Sequence, residues 1–366
     1  MMDEYILGSF NMFKFSRQGS PEARKSYEAI AKIFQDAKFD IVSVQEAFDK
    51  KAVNDLVDVL NKKTKGKWDY SWDEPKRTTN KQAREGFAFI WNTQRLDKVA
   101  TKLDDGTIRE FQPRIVNQYR KDIISTGRKE LLRNPYYGRF APRNGRGESC
   151  DFELRMINAH IMFKKTGDDK DSFDLSDVAM RKNEYAILSQ VILPKIDMKR
   201  YGKEDEDDQG VPSHLHAYTV LMGDYNLNID NRVDNPLYAN RYPYLSQSFI
   251  AWLPDGSKKH EIVTVQEEKT SLIRLPASPQ DDDMFPCELH YSNNYDHFTY
   301  DKVKMDRYKA VVVAHRVNVI EENSEYGVNV KVSKEFNGDF RKYHDTVSDH
   351  LPVMMKLTVE PRRARV

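Results

Sequence analysis

The chain has 366 residues, 39% apolar and 31% charged, with a formal net charge of +1. That balance argues neither for nor against a nucleic-acid partner, and it means that any phosphate-binding face must be local rather than global. No window approaches the roughly 18 to 20 continuous apolar residues of a membrane span, and two cysteines, Cys150 and Cys287, are too few for a disulfide scaffold.

The amino end shows no basic-then-apolar leader, so a cytoplasmic location is expected. Residues 5–11, YILGSFN, read as a strand ending in Asn11. A helix follows, with Ser20 as its cap, Pro21 at its first position and Glu22 in its first turn. Ala23, Tyr27, Ile30, Phe34 and Ala37 form its apolar face. Residues 39–48, FDIVSVQEAF, read as a buried strand that carries Glu46 at its end. A second amphipathic helix presents Val53, Leu56, Val57 and Leu60. This strand–helix alternation is the pattern of an α/β sheet, with polar residues at the carboxyl ends of strands, where open α/β sheets place their sites.

Residues 76–84, KRTTNKQAR, form a basic loop, and GFAFIWN (86–92) is the next strand, preceded by Glu85. RNPYYGRFAPRNGR (133–146) reads as a basic, aromatic, turn-rich stretch. FELRMINAHIMF (152–163) is a strand; Asn158 and His160, two apart, share a face. A helix is expected over 177–192, a solvated acidic loop over 203–210, and a strand over 218–228 that breaks at Gly223 and presents Asp224 and Asn226. Further strands are expected at 261–265, 295–303 and 309–320. The last strand follows SDH, residues 348–350. No repeat or linker divides the chain. It is expected to be one domain, 1–366, with loop insertions near 101–150, 164–176, 200–215, 230–290 and 321–344.

The polar residues at strand ends are Asn11, Glu46, Asn158, His160, Asp224, Asn226, Asp296, Asp349 and His350. Carboxylates and an amide oxygen suit Mg²⁺ or Mn²⁺ better than zinc, which prefers nitrogen and sulfur. Glu46 and Asp349 are the first choice as metal ligands, with Asn11 beside them. Each buried histidine needs a partner that fixes its tautomer, so Asp296 is paired with His350 and Glu85 with His160. Asp224 and Asn226 could orient an attacking water and a phosphate oxygen. Metal, oriented water, imidazolium and amide donors together describe phosphoester hydrolysis.

The order of these motifs resembles the endonuclease/exonuclease/phosphatase superfamily, the deoxyribonuclease I-like proteins. The resemblance runs through Phe10–Asn11, Gln45–Glu46, Asn158–Ala159–His160, Gly223–Asp224–Tyr225–Asn226, Asp296 and Ser348–Asp349–His350. It implies a four-layer α/β sandwich, two mixed β-sheets packed face to face with helices outside. It also implies Mg²⁺- or Mn²⁺-dependent phosphoester cleavage. Asn11, Glu46 and Asp349 match the metal positions; His160, Asp224, Asn226, Asp296 and His350 match the catalytic ones. Arg133 matches a phosphate-contacting arginine, Asn158 is placed with it at the phosphate, and Glu85 supports His160.

Two positions depart from the pattern. Phe48 stands where the deoxyribonucleases carry a minor-groove arginine, and Ala83 where they carry a groove-contacting tyrosine. His297 after Asp296 counts against the inositol-polyphosphate phosphatases, which have arginine there. The expected function is a nuclease acting on DNA, with no membrane span and no obligate protein partner. The alternatives are a phosphatase or phosphodiesterase for a small or lipid phosphoester, and a non-catalytic binding protein on the same fold.

Overall fold

The computed structural model describes residues 2–17, 25–64, 67–74, 85–102, 105–116, 131–144, 147, 149–163, 177–199, 216–229, 244–245, 248–274, 289–321 and 327–360. The loops 76–84, 164–176 and 203–210, the expected helix start at Ser20 and Pro21, and Ala83 lie outside the described residues. Among the described residues no helix is long and apolar enough to cross a membrane.

Two mixed sheets form the centre. The seven-stranded sheet runs Val328–Asn329, Val311–Asn318, Val353–Val359, Asp3–Phe15, Ile41–Ala47, Phe87–Asn92, Trp68–Asp73. The eight-stranded sheet runs Ser248–Trp252, Lys258–Val265, Asp296–Asp301, His216–Asp224, Phe152–His160, Tyr136–Pro142, Leu96–Lys98, with Arg114–Ile115 pairing beside Tyr136–Pro142. Each sheet has a parallel pair at its middle: Asp3–Phe15 with Ile41–Ala47, and Phe152–His160 with His216–Asp224.

Three apolar layers explain why so many strands are apolar on both faces. Between the sheets, Leu7, Ile41, Phe89 and Trp91 meet Tyr136, Phe140, Met156 and Met222. Phe89 stacks on Tyr136 at 4.9 Å between ring centroids. Outside the first sheet, Ile6, Phe10 and Val42 pack on the helices Tyr27–Asp36 and Lys50–Thr64. Outside the second, Ile157 and Leu221 pack on the helical stretch that runs from Asp177 to Met198. The four-layer sandwich expected from the sequence is the observed architecture.

Several boundaries differ from the sequence reading. The first helix begins at Tyr27 and is capped by Ser26, whose Oγ accepts from Ala29 N at 3.2 Å. The stretch 133–146, read as basic, aromatic and turn-rich, contains the buried strand Tyr136–Pro142. The helix expected over 177–192 continues through a π-helical turn at Ile187–Ile192 and on to Met198. Residues 295–303 hold the strand Asp296–Asp301 followed by a helix, Lys302–Arg307. The insertion expected at 230–290 supplies two strands of the second sheet, Ser248–Trp252 and Lys258–Val265.

Candidate active site

The site lies where the inner faces of both sheets change from apolar to polar. Alternate residues of a strand share a face, and the inner rows continue in register past the apolar layer. Tyr5 and Leu7 lead to Ser9 and Asn11; Ile41 leads to Ser43 and Gln45; Leu154 and Met156 lead to Asn158 and His160; Val220 and Met222 lead to Asp224. Antiparallel neighbours bring Asp296 opposite Asp224, and the parallel pair brings His160 opposite it. Glu85 continues the row of Phe87 and Phe89 backwards.

Backbone geometry aims two of the side chains. Glu46 has φ 56° and Asn226 φ 50°. The left-handed region is unfavourable for a residue such as Glu, at a cost of order 1–3 kcal/mol, whereas Asn tolerates it. Asn226 is held there by its own N–H, which donates to Asp224 Oδ1 at 2.8 Å, and by its Nδ2, which donates to Ile161 O at 2.8 Å. Glu46 is held by Lys14 N, which donates to Oε2 at 2.9 Å. Gly223, at φ 146°, lies so close to the neighbouring strand that a Cβ would sit 1.8 Å from Ala159 O.

Both histidines converge on one carboxylate. His350 Nδ1 lies 2.7 Å from Asp296 Oδ2, and its Nε2 lies 3.6 Å from Asp224 Oδ2. His160 Nδ1 is bonded to Glu85, and its Nε2 lies 3.6 Å from the same Asp224 Oδ2. The structure therefore forms both carboxylate–histidine pairs expected from the sequence. Burial disfavours the charged form of His350, yet Asp296 and Asp224 outweigh it and raise its pKa well above the ordinary value. Burial likewise opposes the charge on His160, and Glu85 overturns that and raises its pKa. Glu85 is pulled below the usual range in spite of its burial, by Arg133 and then His160. Burial raises Asp224, with His350 and His160 opposing.

Asn11, Glu46 and Asp349 come together beside this group. Asn11 Nδ2 donates to Asp224 Oδ2 at 3.0 Å and to Glu46 Oε1 at 3.3 Å. Ser348 Oγ donates to Asn11 O at 2.6 Å, which ties the SDH turn to the first strand. Burial raises Glu46, with Glu85 and Asp349 adding to it, and burial raises Asp349, with His350, His344 and Lys25 opposing. Asp349 Oδ1 is buried and has no hydrogen-bond partner among the described residues. An orphaned carboxylate oxygen next to a second under-neutralised carboxylate fits a hard divalent cation. Asp224, Asp296 and His350 also bring one donor atom each to within 4.8 Å of one another, a second arrangement that could hold a metal. Asp296 and Asp224 favour the protonated form of His350, which competes with a metal at that second arrangement.

Arg133 reaches the site through Glu85, and its Nη1 is buried with no hydrogen-bond partner among the described residues. Asn158, expected at the phosphate, is used otherwise. Its Nδ2 donates to Val44 O at 2.9 Å and Ala88 O at 3.2 Å, and its Oδ1 accepts from Gln45 Nε2 at 2.7 Å. It is fully buried and fastens one sheet to the other.

The sequence reading missed Lys25 and Arg181, and gave Gln45 no role beyond its place in the Gln45–Glu46 motif. Arg181 Nη1 donates to Asn226 O at 2.7 Å and so braces the turn that carries Asp224 and Asn226. Lys25 is buried, and burial lowers its pKa to about 8, with Asp349 and Glu46 holding it up.

No family model matches the chain, and no curated protein matches it. Among solved structures it is similar to an endonuclease/exonuclease/phosphatase from Bacteroides vulgatus, at 13% identity over 98% of this chain and 99% of that one, TM-score 0.46. It is similar to ANGEL2, a 2',3'-cyclic phosphatase in complex with adenosine-2',3'-vanadate, at 12% identity over 98% and 96%, TM-score 0.46. It is similar to truncated Caenorhabditis elegans TDP2, at 12% identity over 97% of each chain, TM-score 0.42. In the order of its motifs and in its two face-to-face mixed sheets, the chain resembles the endonuclease/exonuclease/phosphatase superfamily.

Proposed function

We propose that the chain, acting as one domain over 1–366, is a divalent-metal-dependent phosphoester hydrolase that cleaves phosphodiester bonds of nucleic acid, with DNA as the first substrate to test. The observation that carries this reading is the convergence of His160 and His350, each backed by its own carboxylate, on Asp224 Oδ2 at 3.6 Å. A phosphoryl group needs fixed positive charge on one side and an aligned nucleophile on the other.

The residues divide that work. His350, kept protonated by Asp296, offers an N–H to a phosphate oxygen or a proton to the leaving oxygen. His160, backed by Glu85, does the same from the other side of Asp224. Asp224 accepts a hydrogen bond from the attacking water and turns it toward phosphorus, and Asn226 fixes the carboxylate through its backbone N–H. The free Nη1 of Arg133 takes a phosphate oxygen. Glu46 and Asp349 would hold Mg²⁺ or Mn²⁺, with Asn11 orienting Glu46, and the ion would supply positive charge to the reacting phosphate. Asn158 is left out of the phosphate contacts, because both sheets already use its amide.

One observation favours a smaller substrate as the second reading: half-buried Phe48 stands where an arginine would enter a minor groove. The test uses supercoiled plasmid, single-stranded DNA, RNA, bis-p-nitrophenyl phosphate and p-nitrophenyl phosphate, each with Mg²⁺, Mn²⁺ or EDTA. Metal-dependent nicking is the expected result. Turnover of the nitrophenyl esters without nicking would move the substrate to a small phosphoester. No turnover of any of them would leave a binding protein on this fold.

A further inference from the structure

The strand Phe152–His160 ends at the site, and the chain leaves it through Ile161, Met162 and Phe163. Two bonds fasten this exit to the turn after the neighbouring strand. Ile161 N donates to Asp224 O at 2.9 Å, and Ile161 O accepts from Asn226 Nδ2 at 2.8 Å. Ile161 and Met162 are buried, whereas Phe163 is 45% exposed. A single exposed phenylalanine is ordinary on a protein surface. Phe163 is set apart by its place on the rim of the site and by what holds its ring.

The guanidinium of Arg181 lies over the Phe163 ring, with Cζ 4.7 Å from the centroid. Arg181 is buried, and its Nη1 donates to Asn226 O at 2.7 Å. One guanidinium therefore braces the Asp224–Asn226 turn and seats the ring beside it. Tyr295 flanks Phe163 at 6.5 Å between ring centroids, with 50° between the planes. Tyr295 directly precedes Asp296, the partner of His350, and its O accepts from Tyr225 N at 2.8 Å. Phe163 thus stands between the turn that carries Asp224 and the segment that carries Asp296. The other exposed aromatic side chains among the described residues, Phe249 and Trp252, belong to the outermost strand of the second sheet.

We propose that Phe163 is a stacking platform for an unpaired nucleobase, so that the substrate class is single-stranded nucleic acid, or an unpaired nucleotide within a longer chain, in preference to intact duplex. The proposal rests on the reading of Asp224, His160 and His350 as the phosphoryl site. In a nucleotide one sugar separates the base from its phosphate; here one guanidinium separates the ring from the turn of Asp224 and Asn226. The cation against the ring holds it in place, so little freedom is lost when a base lies on it. Inside a duplex both faces of a base are covered by its neighbours, and a single ring can take it only once it is unstacked. A lipid or alkyl phosphodiester has no flat face to offer.

The test reads binding and does not depend on turnover. A fluorescein-labelled single-stranded oligodeoxyadenylate, the same length of abasic tetrahydrofuran chain, and the adenylate paired with thymidylate are titrated by fluorescence anisotropy, in EDTA and in Ca²⁺. The proteins are the full chain, Phe163→Ala, Phe163→Leu and Phe163→Trp. The wild type should prefer the adenylate strand to the abasic one by about tenfold or more, the range of one base–aromatic stack. Phe163→Ala and Phe163→Leu should lose most of that preference, and Phe163→Trp should keep it. Equal affinity of the wild type for the two strands, tighter binding of the duplex than of the single strand, or no binding of the adenylate strand would overturn the proposal without any variant. An undiminished preference in Phe163→Ala and Phe163→Leu would overturn it as well. Turnover of bis-p-nitrophenyl phosphate with Mg²⁺ or Mn²⁺ is followed in parallel. Turnover without a base preference would remove the platform alone; a base preference lost in Phe163→Ala, without turnover, would keep the platform and remove the hydrolytic reading.

Discussion

Asn11 and Asp224 meet across the two sheets: Asn11 Nδ2 donates to Asp224 Oδ2 at 3.0 Å, although 213 residues separate them in the chain. The same amide reaches Glu46, so one neutral donor spaces two carboxylates that burial already makes hard to ionise. Asn11→Asp replaces that donor with a third carboxylate. The expected loss is about 3–5 kcal/mol of stability at pH 7.5, the scale of an uncompensated buried charge. A carboxyl whose folded pKa is raised binds a proton that the unfolded chain has released, so it favours the fold at lower pH. Urea unfolding should therefore recover much of the loss at pH 5. An equal deficit at both pH values would show that packing, not charge, sets the position.

The histidines give the unmodified chain its own pH dependence. Asp296 and Asp224 raise His350 against the effect of burial, and Glu85 raises His160 in the same way. An unfolded histidine titrates near ~6.5. Between that value and the raised folded ones the native chain holds protons that the unfolded chain has lost. The stabilisation is complete below about pH 6.5 and is lost as pH rises through the folded values. Glu46, Asp224 and Asp349, all raised by burial, tilt stability the same way from about pH 4 upward. Glu85, lowered, acts in the opposite sense, and only as pH falls through its depressed value. In EDTA the urea midpoint should fall from pH 6.5 to 9, and His350→Gln should flatten that fall. A midpoint level across this range would contradict the charged pairs.

Activity should separate the two sides of the phosphoryl group. Asp224→Asn keeps the size and the Asn226 contact but removes the charge that turns water, and His350→Ala removes the proton. Each is expected to lower kcat by about 10²–10⁴, the usual contribution of positioned acid–base groups, with KM for a phosphodiester changing less than kcat. Steady-state kinetics with a fluorogenic oligonucleotide would measure both. Unchanged turnover in either variant would remove that residue from the mechanism.

The strand-end residues were legible because each apolar inner row turns polar at the same end of the molecule. Asn11, His160 and Asp224 keep the parity of Leu7, Met156 and Met222, and that break shows in a single strand. Tyr136–Pro142 was not legible as a strand. Gly138 and Pro142 look like turn residues, and Arg139 interrupts the apolar run; its charge is matched by Glu153 on the next strand, at 2.7 and 3.0 Å. Trp68–Asp73 escaped because it is an edge strand whose polar positions face water. Lys25 escaped because a lysine ahead of a helix ordinarily reads as solvated.

Asn158 tests how far motif matching carries into chemistry. The N-x-H pattern placed it at the phosphate, but its Nδ2 donates to Val44 O and Ala88 O, and its Oδ1 accepts from Gln45. Asn158→Ala would strand two buried carbonyl oxygens between the sheets, while Gln45 Nε2 keeps Ser9 Oγ and Ser43 O as acceptors. Leaving each such group unsatisfied costs about 1–3 kcal/mol, so a loss of at least about 2 kcal/mol in urea unfolding is expected. A phosphate ligand would show itself differently, as a rise in KM with stability nearly unchanged. At a temperature where the variant is still folded, KM should stay within about twofold of wild type, since the lost contacts all lie between strands. A large KM effect without a stability loss would return Asn158 to the phosphate and contradict the role that its hydrogen bonds describe.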